Sequence, residues 1–535
     1  MRSMIFALIS IAFIIVFCVI LNNASNKVGV PVLLAFMVLG MIIGNIPVLK
    51  INFVGLESAE KIATVSLIFI MFYGGFGTRW DSARCIVKEA GLLASAGVVL
   101  TAGLTGLFCH MALGWGWVES FLMGSVVSST DAASVFSILR SRKLGLKNHT
   151  APLLEVESGS NDPCSYMLTL VFLSMMQGNF SAGNVIWMLF SQIAFGAGLG
   201  VLIAKGAIYV MKNFHFATSG FDSLFVVAEA LLAYALPSAI GGNGYLSAYI
   251  VGIMMGNARF NGKKQLVAFF DGVTSLTQVL IFFMLGLLAR PSMMHKVIFP
   301  ALAIFAFMLL IARPASVAAV LSPFRKYGLK QQALISFVGL RGAASIVFAI
   351  MATVALGDME NDILNIVFVI VLVSIALQGF FIPYVAEKLD MVDKGNDVMK
   401  TFNDCVDESD MVFTEVVLAE DNNWVGKRIK DLGIPRNMLM CMVMREGSED
   451  IVPNGHTVLQ AGDRVIICSK SFKADKHLAV RRHTISTNKW IGKRIMDYPA
   501  NGSQVIMIKR KDETVIPDGH TVLQKGDILY INQKN

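Results

Sequence analysis

The chain has 535 residues, 55% of them hydrophobic and 15% charged, with a mean hydropathy of +0.64; an average soluble domain is about 25% charged, so an ordinary soluble enzyme is excluded. Charge is unevenly placed: residues 391–535 hold 21 Lys/Arg and 20 Asp/Glu against 24 and 17 in residues 1–390, which puts a membrane-embedded part before a soluble one. The net charge of +8 comes mostly from the membrane part, and with no basic run interleaved with aromatics it speaks for basic loops rather than nucleic-acid binding.

A spanning helix needs about 20 mostly apolar residues. The first candidate, 4–21, has an apolar run longer than a signal-peptide core and no small-x-small cleavage site, so it reads as a helix. Further spans follow near 30–46, 63–78, 90–113, 118–139, 151–176, 184–211, 222–237, 243–256, 274–289, 297–321, 331–353 and 362–384. That predicts a polytopic α-helical membrane protein of about 13 transmembrane helices. With the N-terminus outside, the inner loops carry 15 Lys/Arg and the outer segments 5, a positive-inside bias that places the polar C-terminal part in the cytoplasm. The seven cysteines are scattered singly, which supports neither a disulfide framework nor structural zinc.

A charge at the bilayer centre costs at least ~2.5–3.5 kcal/mol, so the charges inside spans are the candidates for function. They are Asp131, Glu155, Glu157, Asp162, Glu229, Arg313 and Arg341. Arg313 and Glu155 either reach the interface from near a helix end or serve function. Glu229 is either a buried structural carboxylate or a functional one. Asp131 closes the polar run Ser128-Ser129-Thr130-Asp131, whose side chains compete with the backbone for hydrogen bonds. The run is either a Ser-lined helix interface or an unwound midpoint lining a cavity.

Arg341 stands between glycines in Gly339-Leu-Arg-Gly-Ala-Ala344, a second candidate interruption. The two interrupted spans are the fifth and the twelfth, so they cross in opposite senses, as inverted repeats with interrupted helices demand. Spans 1–6 would then repeat as 8–13. In Glu157-Ser-Gly-Ser-Asn-Asp162, Glu157 shares a helix face with Asn161, and Ser158 with Asp162. Pro163 loosens the ladder beside them. Taken alone, Asn161-Asp162 also fits a helix-capping pair; beside Asp131 and Arg341 these oxygen donors suit an alkali cation.

At these motifs the chain resembles the NhaP-type monovalent cation/proton antiporters. The motifs are Thr130-Asp131, Glu157-Ser158 with Asn161-Asp162, and Gly339 to Ala344. The resemblance covers residues 1–390. It implies a homodimer whose protomers have a dimerisation domain and a mobile core domain. It implies Asp162 as the shared cation and proton carrier in a site with Asp131, Thr130 and Ser158, and Asn161 held by Glu157 and Arg341. Thr-Asp-Ala stands where many relatives have Thr-Asp-Pro, so the unwound segment can differ in shape. An ordinary Asp carboxyl, with a pKa of about 3.9, stays ionised near neutrality; burial disfavours the charge and lets proton and cation compete. Since position 161 is Asn and Arg341 stays protonated, one proton replaces one cation, which predicts electroneutral exchange.

After a linker at 391–405, the tail contains an internal repeat. Trp424-Val-Gly-Lys-Arg-Ile429 recurs as Trp490-Ile-Gly-Lys-Arg-Ile495, and Gly455-His-Thr-Val-Leu-Gln as Gly519-His-Thr-Val-Leu-Gln. Each copy reads as a strand, a short helix after Gly-Lys-Arg, then strands joined by turns, hence cytoplasmic α+β domains. His456 and His520 recur inside turns and read as structural. Both copies, 406–470 and 478–535, look like the C-terminal subdomain of potassium-conductance regulators, called TrkA-C or RCK-C. No G-x-G-x-x-G follows a strand, so no NAD or ATP cofactor is expected. The tail either senses a small regulatory ligand, a nucleotide included, or serves assembly only.

These features point to a secondary antiporter of K+ or Na+ against H+ in a bacterial inner membrane, with regulator-type tails favouring K+. A tail-gated potassium channel is the alternative, but no Thr-Val-Gly-Tyr-Gly filter occurs and midplane carboxylates fit alternating access better. No catalytic nucleophile elbow or His-Glu-x-x-His motif supports an enzyme.

Overall fold

A computed structural model of the chain describes residues 16, 32–45, 55–142, 144–178, 181–214, 220–260, 262–357, 359–393, 411–420, 422–435, 438–445, 451–470, 479–485, 490–497, 504–510, 513–515, 517 and 520–533. The expected first span, 4–21, apart from residue 16, and nearly all of the linker lie outside the described residues. The chain separates into two compact units, 1–406 and 407–535.

In the first unit the described helices follow the expected spans in order. They are α1 Val32–Gly44, α2 Leu56–Gly77, α3 Val87–Leu113, then α4 Trp117–Val126 and α5 Ala132–Ser141 as halves of one span. Next come α6 Thr150–Met176, α7 Ala182–Asn213, α8 Phe221–Ala239, α9 Gly244–Asn257 and α10 Lys263–Leu288. The last are α11 Pro291–Leu321, the halves α12 Leu329–Phe337 and α13 Ala343–Leu356, and α14 Ile363–Lys388. Seven of these are by themselves long and apolar enough to cross a membrane; the rest are short, broken or carry charge.

Both expected interruptions are present, at 127–131 and 338–342. The two broken spans run antiparallel. At one end, Glu119 on α4 accepts from the Asn361 N–H just beyond α13 (3.1 Å). At the other, Gln331 at the start of α12 donates to Asn148 O (3.0 Å), just before α6. Three π turns, Leu93–Gly97, Met308–Ala312 and Ser374–Gln378, interrupt α3, α11 and α14, a geometry that frequently marks functional sites.

The helices pack as two groups. In one, α1, α2, α7, α8, α9 and α10 pack on each other; in the other, α3, α4, α6, α11, α12, α13 and α14 do so. Contacts of α13 with α2 and of α6 with α9 form the seam between them. Within the first group α2 and α9 touch backbone to backbone: a Cβ at Gly252 would lie 2.1 Å from Phe72 O. Small residues at four-residue spacing permit such approach in a lipid environment. The chain leaving α14 is clasped by a two-strand ladder, β1 Gly145–Leu146 with β2 Val392–Asp393, beside the Lys147–Asp390 ion pair (2.8 Å).

The second unit holds two antiparallel sheets. The first has strand order β3 Met411–Val417, β5 Arg464–Lys470, β4 Met438–Met444; the second has β6 Ala479–Thr484, β9 Ile528–Gln533, β7 Gln504–Arg510, β8 Glu513–Val515. A one-residue irregularity recurs in both, between Met440 and Met442 and between Val505 and Met507. The expected short helices shrink to single 3-10 turns, Ile429–Asp431 and Ile495–Asp497. In the first copy Gly433, at φ +62°, and Pro435 stop the helix within one turn, while the leading amides bond across the chain, Ile429 N–H to Thr457 O and, in the second copy, Ile495 N–H to Thr521 O. The His456 N–H is taken by Asn454 Oδ1 (2.9 Å) inside its turn.

Each copy is locked by the same fork. Arg445 donates to both oxygens of Asp463 at 2.8 Å, and Arg510 grips Asp527 at 2.9 and 2.8 Å. Both carboxylates are fully buried. The Arg445 guanidinium holds the Asp463 carboxyl below the ordinary carboxylate range. A depressed folded pKa gives stability that is present above the unfolded value and lost as pH falls toward the folded one. Arg445→Gln is therefore expected to destabilise the first sheet by about 1–3 kcal/mol at neutral pH. The difference from the parent should close below about pH 4, as read by hydrogen exchange of β4 and β5 amides in the full-length protein.

Candidate functional site

The two chain breaks meet. The Asp131 N–H donates to Leu340 O (2.8 Å), so each interruption satisfies a backbone group freed in the other. The Asp131 carboxylate accepts from Ser134 N–H (3.1 Å) and Ser134 Oγ (2.6 Å) at the start of α5, and lies beside the Ala343 N–H at the start of α13. One anion thus stands at two helix N-termini, where the positive dipole ends converge. Gly342 is required there by space: a Cβ would sit 2.1 Å from Asp131 Oδ2. On the opposite polarity, Arg341 Nη1 donates to Ser129 O (2.8 Å), a carbonyl freed just beyond the C-terminus of α4. The second break is braced from the π turn of α14. Ser374 Oγ accepts from the Arg341 N–H (3.1 Å) and Gln378 Nε2 donates to Phe337 O (2.7 Å).

Beside this crossing lies α6. Asp162 Oδ1 accepts from the Ser129 hydroxyl, Ser158 Oγ donates to Thr130 O (2.7 Å), and Asn161 Nδ2 donates to Thr130 Oγ1 (2.6 Å). Pro163 lies inside the helix and has no N–H, so the carbonyl of Gly159 loses its ladder partner. A cavity of about 140 Å³ is lined by Asp162, Ser158, Gly159, Ser129, Thr130, Asp131 and Glu155, with Leu67, Met71 and Gly74 of α2 as its other wall. That is room for several waters. Its lining extends to Gly77, Phe136 and Glu155, near the end of α2, in α5 and near the start of α6, on the side whose loops carry the basic residues.

The structure thus brings Asp162, Asp131, Thr130 and Ser158 to one cavity, while Asn161, Glu157 and Arg341 stand behind it. The expected arrangement of Asn161 between Glu157 and Arg341 is not the one found. Glu157 Oε1 instead pairs with Arg313 Nη2 (2.6 Å) with both side chains buried, Asn161 bonds to Thr130, and Arg341 bonds to Ser129. The reason is local: the π turn Met308–Ala312 delivers Arg313 inward, and the break at 127–131 offers Arg341 a free carbonyl. Arg313 is therefore not an interfacial residue. Its position eight residues before the end of α11, about 12 Å along a helix, was the available signal. Ser129 was visible only as part of a polar run. Glu229 is half-buried on α8 and outside the cavity lining.

Removing Glu157 leaves the Arg313 charge buried and unpaired, at a cost of about 3–5 kcal/mol. Glu157→Gln is expected to lower the unfolding temperature of the purified protein markedly, and Glu157→Gln with Arg313→Gln to recover part of that loss.

The family model "Sodium/hydrogen exchanger, transmembrane" matches residues 12–388, and the TrkA-C domain model matches 413–472 and 480–532. The chain is 32% identical over 475 residues to the K(+)/H(+) antiporter NhaP of Alkalimonas amylolytica, covering 88% of this chain and 82% of that one. It is 32% identical over 455 residues to the K(+)/H(+) antiporter NhaP2 of Shewanella oneidensis, covering 84% and 78%. The fold is similar to a solved structure of the sodium proton antiporter MjNhaP1 from Methanocaldococcus jannaschii, with TM-score 0.62 and 24% identity over 72% of this chain and 99% of that one. Two crossed broken helices beside a cavity-lining carboxylate, followed by two TrkA-C domains, agree with these matches: the chain belongs to the sodium/hydrogen exchanger family, as a membrane-embedded cation/proton antiporter of the NhaP type.

Proposed function

We propose that the protein exchanges K+ for H+ electroneutrally, with Asp162 as the shared carrier. One observation carries this reading: around the crossing, Glu157 is paired with Arg313, Asp131 is held by Ser134 and Arg341 by the Ser129 carbonyl, while Asp162 faces the cavity with a neutral hydroxyl as its hydrogen-bond partner. A proton or one monovalent cation neutralises it equally. Both loaded forms then carry the same charge, whereas the empty form carries an unpaired anion that is costly to move through a low-dielectric seam. Exchange follows from that difference. Ser158 and Thr130 oxygens, and Asp131 at the rim, complete the oxygen-rich surroundings a dehydrated alkali cation prefers. Alternating access would come from sliding the group that holds α6 and α13 along the seam against α2 and α9.

The choice of K+ over Na+ rests on the similarity at 32% identity to proteins named K(+)/H(+) antiporters and on the TrkA-C domains. The protein would work as a homodimer in the bacterial inner membrane, N-terminus outside and tail in the cytoplasm. Residues 1–390 would form the exchanger, 391–405 the linker, and 406–470 and 478–535 the domains through which a small ligand biases transport.

In everted vesicles, added K+ should collapse a pH gradient without generating a voltage, and Asp162→Asn should reduce exchange to background while the protein still folds. Exchange at the parental rate in Asp162→Asn excludes the carrier assignment, and cation flux without proton counterflow favours a channel. Deleting 395–535 should leave exchange in place but change its activation by pH and cytoplasmic solutes. An unchanged response reduces the tail to assembly.

A further inference from the structure

The cavity ends abruptly on its outer side. One turn beyond Asp162 on α6, Tyr166 packs edge-on against Tyr245 of α9, ring centroids 5.0 Å apart. Tyr245 also packs on Tyr234 of α8 at 4.9 Å, and Phe348 of α13 closes on Tyr166 at 5.8 Å and on Tyr245 at 6.3 Å. Tyr245 and Phe348 are 2% and 0% exposed. Tyr166 and Phe348 belong to one helix group, Tyr234 and Tyr245 to the other, so the rings interdigitate across the seam along which the site has to open.

These rings are more than filler. Thr64 and Tyr234 lie beside the Tyr245 hydroxyl, and Glu60 lies within electrostatic reach of Tyr166 and Tyr234. Glu60 and Thr64 are on α2, the helix whose Leu67, Met71 and Gly74 wall the cavity. Positions 60, 64, 67, 71 and 74 follow one helix stripe at alternating steps of four and three. The stripe therefore runs unbroken from a carboxylate at the outer end of α2, through the tyrosine cluster, to the cavity at Asp162.

We propose that Tyr166, Tyr234, Tyr245 and Phe348 form the closed outer gate of the ion path, and that beyond it the path follows α2 past Thr64 to Glu60, which receives the cation on the outer side. This rests on the carrier reading of Asp162 above. The aromatic contacts seal the site while it faces the cytoplasm, and their hydroxyls supply polar lining once the two groups slide apart. Glu60 concentrates cations at the outer mouth by its charge.

The test uses the full-length protein with native cysteines replaced and one thiol introduced by Gly74→Cys, where a Cβ meets nothing within 4 Å. In buffer free of K+ and Na+ at alkaline pH, where the empty charged site does not cross, a membrane-impermeant maleimide should label the parent from the cytoplasmic side only. Tyr245→Ala, or Phe348→Ala where the first variant fails to fold, should add labelling from the outer side. Tyr245→Phe, which keeps the rings packed, should stay sealed. Cytoplasmic labelling retained in Tyr245→Ala and Phe348→Ala without any outer labelling overturns the gate alone. A parent that does not label from the cytoplasmic side overturns the inward-open site and the gate with it. Glu60→Gln should raise the apparent KM for K+ several-fold on the outer side and leave the cytoplasmic KM unchanged; equal change on both sides, or none, overturns the role of Glu60.

Discussion

The structure depends on how charge is matched where two broken helices cross. Unwinding a helix at membrane depth exposes donors at one half and acceptors at the other, and neither is tolerated without partners. Asp131 answers donors of α5 beside the start of α13, Arg341 answers a carbonyl freed beyond α4, and a direct backbone bond from Asp131 to Leu340 ties the breaks together. Behind them the buried Glu157–Arg313 pair links α6 to α11. With these charges held by fixed partners and Asp162 bonded to a neutral hydroxyl, the proposed exchange makes the protonation of Asp162 the variable to which this charge balance is sensitive. A carboxylate with a lysine partner would behave differently, since loss of its proton would leave a neutral pair.

The second constraint is mechanical. Within the group of α1, α2 and α7 to α10, glycines let helices touch backbone to backbone, as at Gly252 against Phe72, which makes that group stiff. Across the seam the contacts are side chains: the tyrosine cluster outside the site and the cavity inside it. Rigid bodies joined by a side-chain seam are what a sliding transition requires. The three π turns lie in the other group. Two of them deliver residues to the crossing, Arg313 by one and Ser374 with Gln378 by another.

Much of this was legible in the residues. The breaks were visible because Ser128 to Asp131 and the glycine-flanked Arg341 are poor material for a continuous apolar helix, and the odd offset between their spans foretold the antiparallel crossing. The carboxylates that meet at the cavity were visible as charges out of place. What was not legible is partner choice over long separations. Glu157 and Arg313 are 156 residues apart, and no local pattern says that a π turn rotates Arg313 inward while Arg341 is drawn to a carbonyl. In the tail the repeat revealed the strands and turns, but the expected short helices are single turns, the first cut off by Gly433 in the left-handed region.

The tail copies show the same economy in a soluble setting, with one arginine fork per domain fixing a buried aspartate. For the membrane part, the most direct measurement is proton release on cation binding. K+ added to the purified protein in weakly buffered solution near neutral pH should release about one proton per cation bound, and Asp162→Asn should release none. Cation binding without proton release, or release that survives Asp162→Asn, would contradict a single carboxylate shared by the two ions.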